Sequence, residues 1–412
     1  MNASTFLFAT DLHDEGFPNV LDNVQGRGGM QGVTLACAYH HARDIFPHNP
    51  VRKVRFLEGG TVFFRPDARG YEGLKIRPQV SRLAEEVDIL ATLLAEAGRR
   101  GLAVRAWTVY LHNTTLGSRH VECAVRNVFG DPYITFLCPA NPDVRAYARA
   151  LSADIAGRGV QAILAESLSY QPFDHGYHHE RSFVPLSPAA RFLFSLCFCE
   201  HCLAAIGQAG VETARVRRFV RDALEKVLAG EASGLPESEG GDLSLAALGG
   251  LAGGELGRFL AARQAIVTSL VAEVTGAVEG AGDAQFVMMD MSGAAKGYAS
   301  GEPSGDPAPS GAWQGGVDVE GVGRACHGVE AIGYARDPAR LRGDLAAYRR
   351  LMPNGAALSV ALRPMRPDCD SAENLAAKAA VARELGIEWI DFYHYGFMPL
   401  DRLDWIREAL HG

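Results

Sequence analysis

The sequence lacks several things at once. It has no apolar run of the roughly 20 residues needed to cross a bilayer, so a membrane partner is not expected. The first residues, MNASTFLFATDLHDEG, show neither a basic n-region nor a small-residue cleavage site, and a cytoplasmic location is the default expectation. There is no basic stripe. The formal net charge is −8 and the Lys and Arg residues are scattered, which argues against nucleic acid as the main partner. No glycine-rich dinucleotide fingerprint follows the first apolar run, and no organic cofactor is expected. Eight cysteines in 412 residues, without a secretion signal, do not make a disulfide framework.

What is present is a globular composition, 48% hydrophobic and 21% charged. Short apolar runs alternate with longer stretches whose apolar residues recur every three or four positions. Eight runs read as strands: Thr5 to Thr10, Gly32 to Ala38, Ala103 to Tyr110, Gln161 to Ala165, Gln285 to Met289, Gly328 to Tyr334, Ala357 to Leu362 and Ile387 to Tyr393. Helical patterns lie between them, as at Asp143 to Gly157, Glu255 to Val278 and Ala372 to Leu385, and Leu400 to Leu410 ends the chain as a further helix. Gly101, Gly159 and Gly386 punctuate helix ends before strands. Eight β-then-α units predict an α/β fold, a (β/α)8 TIM barrel of one domain over residues 1–412. An open doubly wound sheet is the alternative.

The connections leaving strands 2, 3, 4 and 5 are long: His40 to Arg77, Leu111 to Pro142, Ser167 to Gly210 and Ser292 to Gln314. In a barrel these share the C-terminal face, where active sites lie. The first of them, rich in aromatics and prolines, reads as an ordered lid. Residues 230–254 read as a flexible Gly/Ser-rich insertion.

Polar residues at strand ends are the candidates for the mouth. Glu166 ends strand 4 after the apolar run AILA, where burial would raise its pKa and suit a general acid. A structural salt bridge at the rim, to Arg363, is the competing reading. Asp290, at the end of strand 5, is the second carboxylate, with Asp11 and Asp391 as rivals and a loop-capping role as the alternative. Glycoside hydrolysis asks for two such groups, about 5 Å apart for retention and wider for inversion. Tyr39, His40, His112, Asn113, His178, Arg363, Tyr393 and His394, with Asp11 and Asp391, are candidate substrate contacts. Rings stack on sugar faces, and amides and imidazoles pair with hydroxyls.

Two local clusters stand out. The segment FDHGYHHERS after strand 4 carries three histidines, but no H-E-x-x-H spacing, and reads as a hydrogen-bonding loop or a metal site. The segment CFCEHC places Cys197, Cys199 and Cys202 as C-x-C-x-x-C, three thiolates suited to a structural Zn²⁺. Cys138, in the neighbouring loop after strand 3, is the natural fourth ligand, with His201 as a second option. Three reduced thiols without metal are the plain alternative.

The runs LCPANPDVRAYARAL and CFCEHCLAAI, on either side of a fourth strand ending in Glu166, resemble the barrel of the β-galactosidase group of glycoside hydrolases known as family 42. The closing IEWIDFYHYGFMPLDRLDWI is similar to the last unit of glycosidase-like barrels. The resemblance implies that Glu166 is the acid/base and that Cys138, Cys197, Cys199 and Cys202 hold zinc. The chain departs from the family in having Ala165 where Asn precedes the acid/base, and Arg363-Pro where strand 7 would carry a nucleophilic Glu. Three functions follow as expectations: a glycoside hydrolase acting on a small carbohydrate; a metal-dependent hydrolase or isomerase using the mouth histidines; and a non-catalytic sugar-binding barrel. A homo-oligomer stays open.

Overall fold

The chain's structure, a computed structural model, describes residues 1–176, 181–237, 242–296 and 300–412. Eight parallel strands form its centre: β1 (Asn2–Leu7), β2 (Gly32–Tyr39), β3 (Ala103–Val109), β4 (Ala162–Glu166), β5 (Gln285–Asp290), β6 (Gly328–Ile332), β7 (Ala357–Leu362) and β8 (Trp389–Phe392). Each pairs with the next. Ser4 of β1 sits beside both Gly32 of β2 and Asp391 of β8, so the sheet closes on itself. The expected (β/α)8 barrel is the fold. Its strands read as near-continuous apolar runs because both faces are covered.

The outer helices start on side-chain caps. Asp88, Asn141, Asp337 and Ser371 each accept a hydrogen bond from a backbone N–H of the first turn. Gly101 and Gly386, at φ 66° and 64°, take the left-handed turn that leads into the next strand. The described residues of the long connections carry elements of their own. After β2 comes a hairpin of Ala42–Ile45 and Val54–Leu57, after β3 a helix (Thr114–Arg119) and a hairpin of Ala124–Arg126 and Pro132–Leu137, and after β4 the helices Pro188–Phe194 and Glu200–Gln208. The stretch 230–254 lies between helices Thr213–Leu228 and Glu255–Glu279 and carries its own short helix, Leu245–Gly249. Among the described residues no helix is long and apolar enough to cross a membrane.

Two expectations are corrected here. The first strand is Asn2–Leu7, not Thr5 to Thr10. A helix, Ala9–Glu15, begins directly after it, and Asp11 folds back as the third residue of that helix to accept from the Phe8 backbone N–H at 2.8 Å. The second concerns Asp391, expected at the mouth. In parallel register the inward positions are Ser4, Thr34, Arg105, Glu330, Ser359 and Asp391, and they meet inside the barrel below its mouth. Asp391 is ion-paired to Arg105 and accepts from Thr34 Oγ1 at 2.6 Å and from the Ser4 hydroxyl. It is fully buried, so it is a core residue and not a substrate contact.

This polar ring is nearly charge-neutral. Burial first, and then the neighbouring Asp391, push Glu330 well above the usual carboxylate range, so it keeps its proton. Ser359 Oγ donates to it at 3.1 Å. Arg105 and Asp391 are left as one buried ion pair, and Arg105 also lies 4.7 Å over the Trp389 ring. Removing one member of a buried pair strands the other charge. Arg105→Met should therefore cost about 3–5 kcal/mol in denaturant unfolding. Glu330→Gln, which mimics the protonated acid, should leave the unfolding midpoint almost unchanged.

Candidate active site at the barrel mouth

Strand alternation decides which strand-end residues face the mouth. Leu164 is in register with Trp107 and with Val287, so Glu166, two residues on, points inward with them. Asp290 is one residue out of that phase, beside Ala331, and points outward instead. Its carboxylate accepts from Tyr348 Oη of the outer helix Pro338–Leu351 at 2.7 Å. It also accepts from the Ser292 N–H at 3.0 Å and from Ser292 Oγ at 2.8 Å. The expectation that Asp290 faces Glu166 is corrected: it ties a loop and a helix to the outside of the strand.

Glu166 is 9% exposed, and its Oε2 accepts from Trp107 Nε1 at 2.6 Å. The Trp107 ring meets Phe6, Phe8, Tyr39 and Tyr393 at centroid distances of 5.0, 5.7, 4.7 and 5.8 Å, so the carboxyl sits against an aromatic wall. Burial pushes its pKa up to about 7, partly opposed by the Trp107 hydrogen bond. Arg363 does not pair with it. The guanidinium forms a two-pronged bridge to Asp368, both contacts at 2.5 Å, and lies 4.3 Å over the Tyr334 ring. Half-buried Tyr334, Arg363, Tyr393 and Phe397 border the opening.

Tyr39 and Tyr393 flank the carboxyl. Both hydroxyls are raised chiefly by burial and also by the nearby charge of Glu166; each lies within reach of the other, and each also feels Asp44. Asp44 escaped the strand-end reasoning because it lies five residues beyond β2, on the lid hairpin. The alternation in HARDI is the only signal of it in the sequence. It is half-buried, and burial raises it to about 6.

The histidines form a stack. His40 lies on Tyr39 at 4.2 Å and on His112 at 4.3 Å, and His112 lies against His175 at 4.8 Å. Burial lowers His40 to about 4 and His112 to about 2, so the stack is uncharged at neutral pH. The His40 and His112 planes are only 24° apart, so their lone pairs run side by side rather than converging on a metal. His394 is wholly buried against Phe8 and Phe397, with Nδ1 accepting from Gly396 N at 3.1 Å and 3.9 Å from Asp11. Asp11 is fully buried as well, raised by desolvation to about 7. Neither reaches the opening, which corrects their assignment as substrate contacts. Asn113 is also reassigned. Its Oδ1 caps the helix Thr114–Arg119 through Leu116 N at 2.9 Å. His178 lies outside the described residues.

Beside the mouth, Cys138, Cys197, Cys199 and Cys202 come together, all buried, with their sulfurs within 4.8 Å of one another. Cys138 follows the hairpin strand Pro132–Leu137, and Cys199 caps the helix Glu200–Gln208, accepting from Cys202 N at 3.4 Å. His201 points away, one-third exposed and 3.8 Å from Glu200. Cys138 is therefore the fourth member. The three neighbouring thiols hold Cys199 low and push Cys138 up, so the cluster carries one proton-poor sulfur among its four. A tetrahedral site with metal–sulfur bonds of about 2.3 Å has sulfur–sulfur edges of about 3.8 Å, so this donor set fits a metal ion. It is the only such grouping among the described residues.

No protein-family model and no curated protein matches the chain. Solved structures do. The α-L-fucosidase isoenzyme 2 from Paenibacillus thiaminolyticus aligns over 99% of this chain and 49% of its own, with TM-score 0.55 and 11% identity. The β-galactosidase from the psychrophilic Marinomonas ef1 aligns over 99% and 58%, with TM-score 0.56 and 13% identity. The β-amylase catalytic domain from Paenibacillus polymyxa aligns over 98% and 94%, with TM-score 0.53 and 12% identity. The chain spans about half the length of the first two. What it shares with these glycoside hydrolases is the closed eight-stranded parallel barrel.

Proposed function

We propose that the chain is a glycoside hydrolase in which Glu166 protonates the departing glycosidic oxygen. One observation carries this: a carboxyl at the end of β4, sealed against Trp107 and raised to about 7, which keeps its proton in an appreciable fraction of molecules at neutral pH. Half-buried Tyr393 offers a ring face for a sugar, its hydroxyl and that of Tyr39 suit polar groups, and Arg363 stands at the rim. The barrel neighbours, a fucosidase, a β-galactosidase and a β-amylase by their titles, support a carbohydrate substrate. Acid/base hydrolysis of this kind needs no organic cofactor. The family 42 resemblance fits the acid and the cysteines. With Arg363 where that family has its nucleophile, the chain reads as a relative whose second group lies elsewhere.

In this reading zinc is the ion for the four cysteines. Four protein ligands leave no open position, so its part is structural: it fastens the loop after β3 to the loop after β4, and Glu166 acts without it. The enzyme reads as one domain over residues 1–412, with 230–254 as an insertion within its fourth unit, and as a cytoplasmic protein.

Activity should fall as pH rises through about 7, because only protonated Glu166 can donate. Glu166→Gln should lower kcat on oligosaccharides and alkyl glycosides by about 100-fold or more. A wild type that turns over a broad glycoside panel with no loss in this variant would refute the assignment. Trp107→Phe removes the hydrogen bond that favours the ionised form, so the alkaline limb of the pH–rate profile should move to higher pH. Purified protein should contain about one zinc per chain. Cys138→Ser should lower both zinc content by elemental analysis and the melting temperature, while residual activity keeps its alkaline limb.

A further inference from the structure

The acid needs a partner on the far side of the scissile bond, and the strand-end acids do not supply one. Asp290 faces the outer helix, and Asp391 is locked to Arg105 inside the barrel. The hairpin after β2 carries a third carboxylate. Asp44 on Ala42–Ile45 lies directly across from Arg55 on Val54–Leu57. Cross-strand neighbours in such a pair have Cβ atoms about 5 Å apart, and opposite charges there ordinarily join. Here they do not: Arg55 turns back to Asp14 of the helix Ala9–Glu15. Asp44 Oδ2 is left sealed from solvent without a hydrogen-bond partner among the described residues. The hairpin is held in place on its other side, where His48 Nδ1 meets Glu15 at 2.9 Å and His48 Nε2 meets the Tyr395 carbonyl at 2.9 Å. An unpartnered carboxyl oxygen is thus left on the less exposed face of the lid hairpin.

The packing of the hairpin brings it over the mouth. Phe46, two residues on from Asp44, packs on Phe8 and Phe397 at centroid distances of 6.1 and 5.4 Å. Phe8 lies 5.7 Å from Trp107 and Phe397 lies 5.8 Å from Tyr393, so the hairpin rests on the aromatic layer that receives Glu166. A base that activates water on the face opposite the acid gives a single displacement and an inverted product.

Resting on the assignment of Glu166 as the acid, we propose that Asp44 is the general base, so that the lid hairpin completes the site and hydrolysis inverts the anomeric centre. Asp44 takes a proton from water as the water oxygen bonds to the anomeric carbon. The bond from that carbon to the leaving oxygen breaks, and Glu166 gives its proton to the leaving oxygen. The products are a free sugar of opposite configuration and an alcohol, with Asp44 protonated and Glu166 ionised until solvent exchanges the protons.

The test uses full-length wild type, Asp44→Ala, Asp44→Asn and Glu166→Gln on the glycosides the wild type hydrolyses, with folding checked by circular dichroism. Asp44→Ala should lose about 100-fold or more in kcat, and azide should restore turnover by forming a glycosyl azide. Wild type should show an acid limb near 6, which is absent in Asp44→Asn. NMR of the first-formed anomer should show inversion. Retained configuration, or folded Asp44 variants within tenfold of wild type, would overturn the base assignment while a dead Glu166→Gln leaves the acid standing. A wild type inert across the panel would bring down both.

Discussion

The closure of β1 onto β8 is the constraint on which everything else hangs. Once Ser4 is in register with both Gly32 and Asp391, the two-residue alternation of every strand is phased to a common interior. That phase sends Glu166 inward beside Trp107 and Asp290, one position out of step on the neighbouring strand, outward to Tyr348. It also stacks a polar ring, Arg105 with Asp391 and Glu330, directly beneath the aromatic layer that receives Glu166. The ring holds the barrel bottom in one register; the aromatic layer makes the floor of the mouth.

Desolvation then sets the chemistry, with different outcomes depending on compensation. Glu330 shares Arg105, at 3.8 Å, with Asp391 and stays neutral. Asp391 has Arg105 against it as a buried ion pair. Glu166 has only an indole N–H, enough to bring it to about 7 and no lower, the range a proton donor requires. The histidine stack is driven to the neutral form by the same burial, so it offers flat, uncharged faces to the mouth.

The mouth is finished by loops that are themselves braced. The hairpin after β2 is fastened through Arg55 to Asp14 and through His48 to Glu15. The loops after β3 and β4 converge on four cysteine sulfurs, with Tyr170 Oη 3.1 Å from Cys202 Sγ. Because two loops from adjacent strands meet there, a metal ion held by the four sulfurs would join one loop to the other.

The eight strands, the order of the units, the long face and the four-cysteine grouping were all legible along the chain. Apolar periodicity, glycine punctuation and C-x-C-x-x-C spacing are local properties, and parallel barrel strands announce themselves as buried runs. Glu166 was legible for the same reason, an acid at the end of AILA. The start of the first helix was not, because TFLFA is apolar on both sides of the turn and only the Asp11–Phe8 cap marks the boundary. Nor could the sequence tell Asp290 from Glu166, or place Asp391 below the mouth, since inward and outward differ by a single residue of phase that closure alone determines. Asp44 depended still more on tertiary structure. Its lack of a cation follows from Arg55 choosing Asp14 over its cross-strand neighbour, a competition between segments that meet only when the hairpin folds back over the barrel.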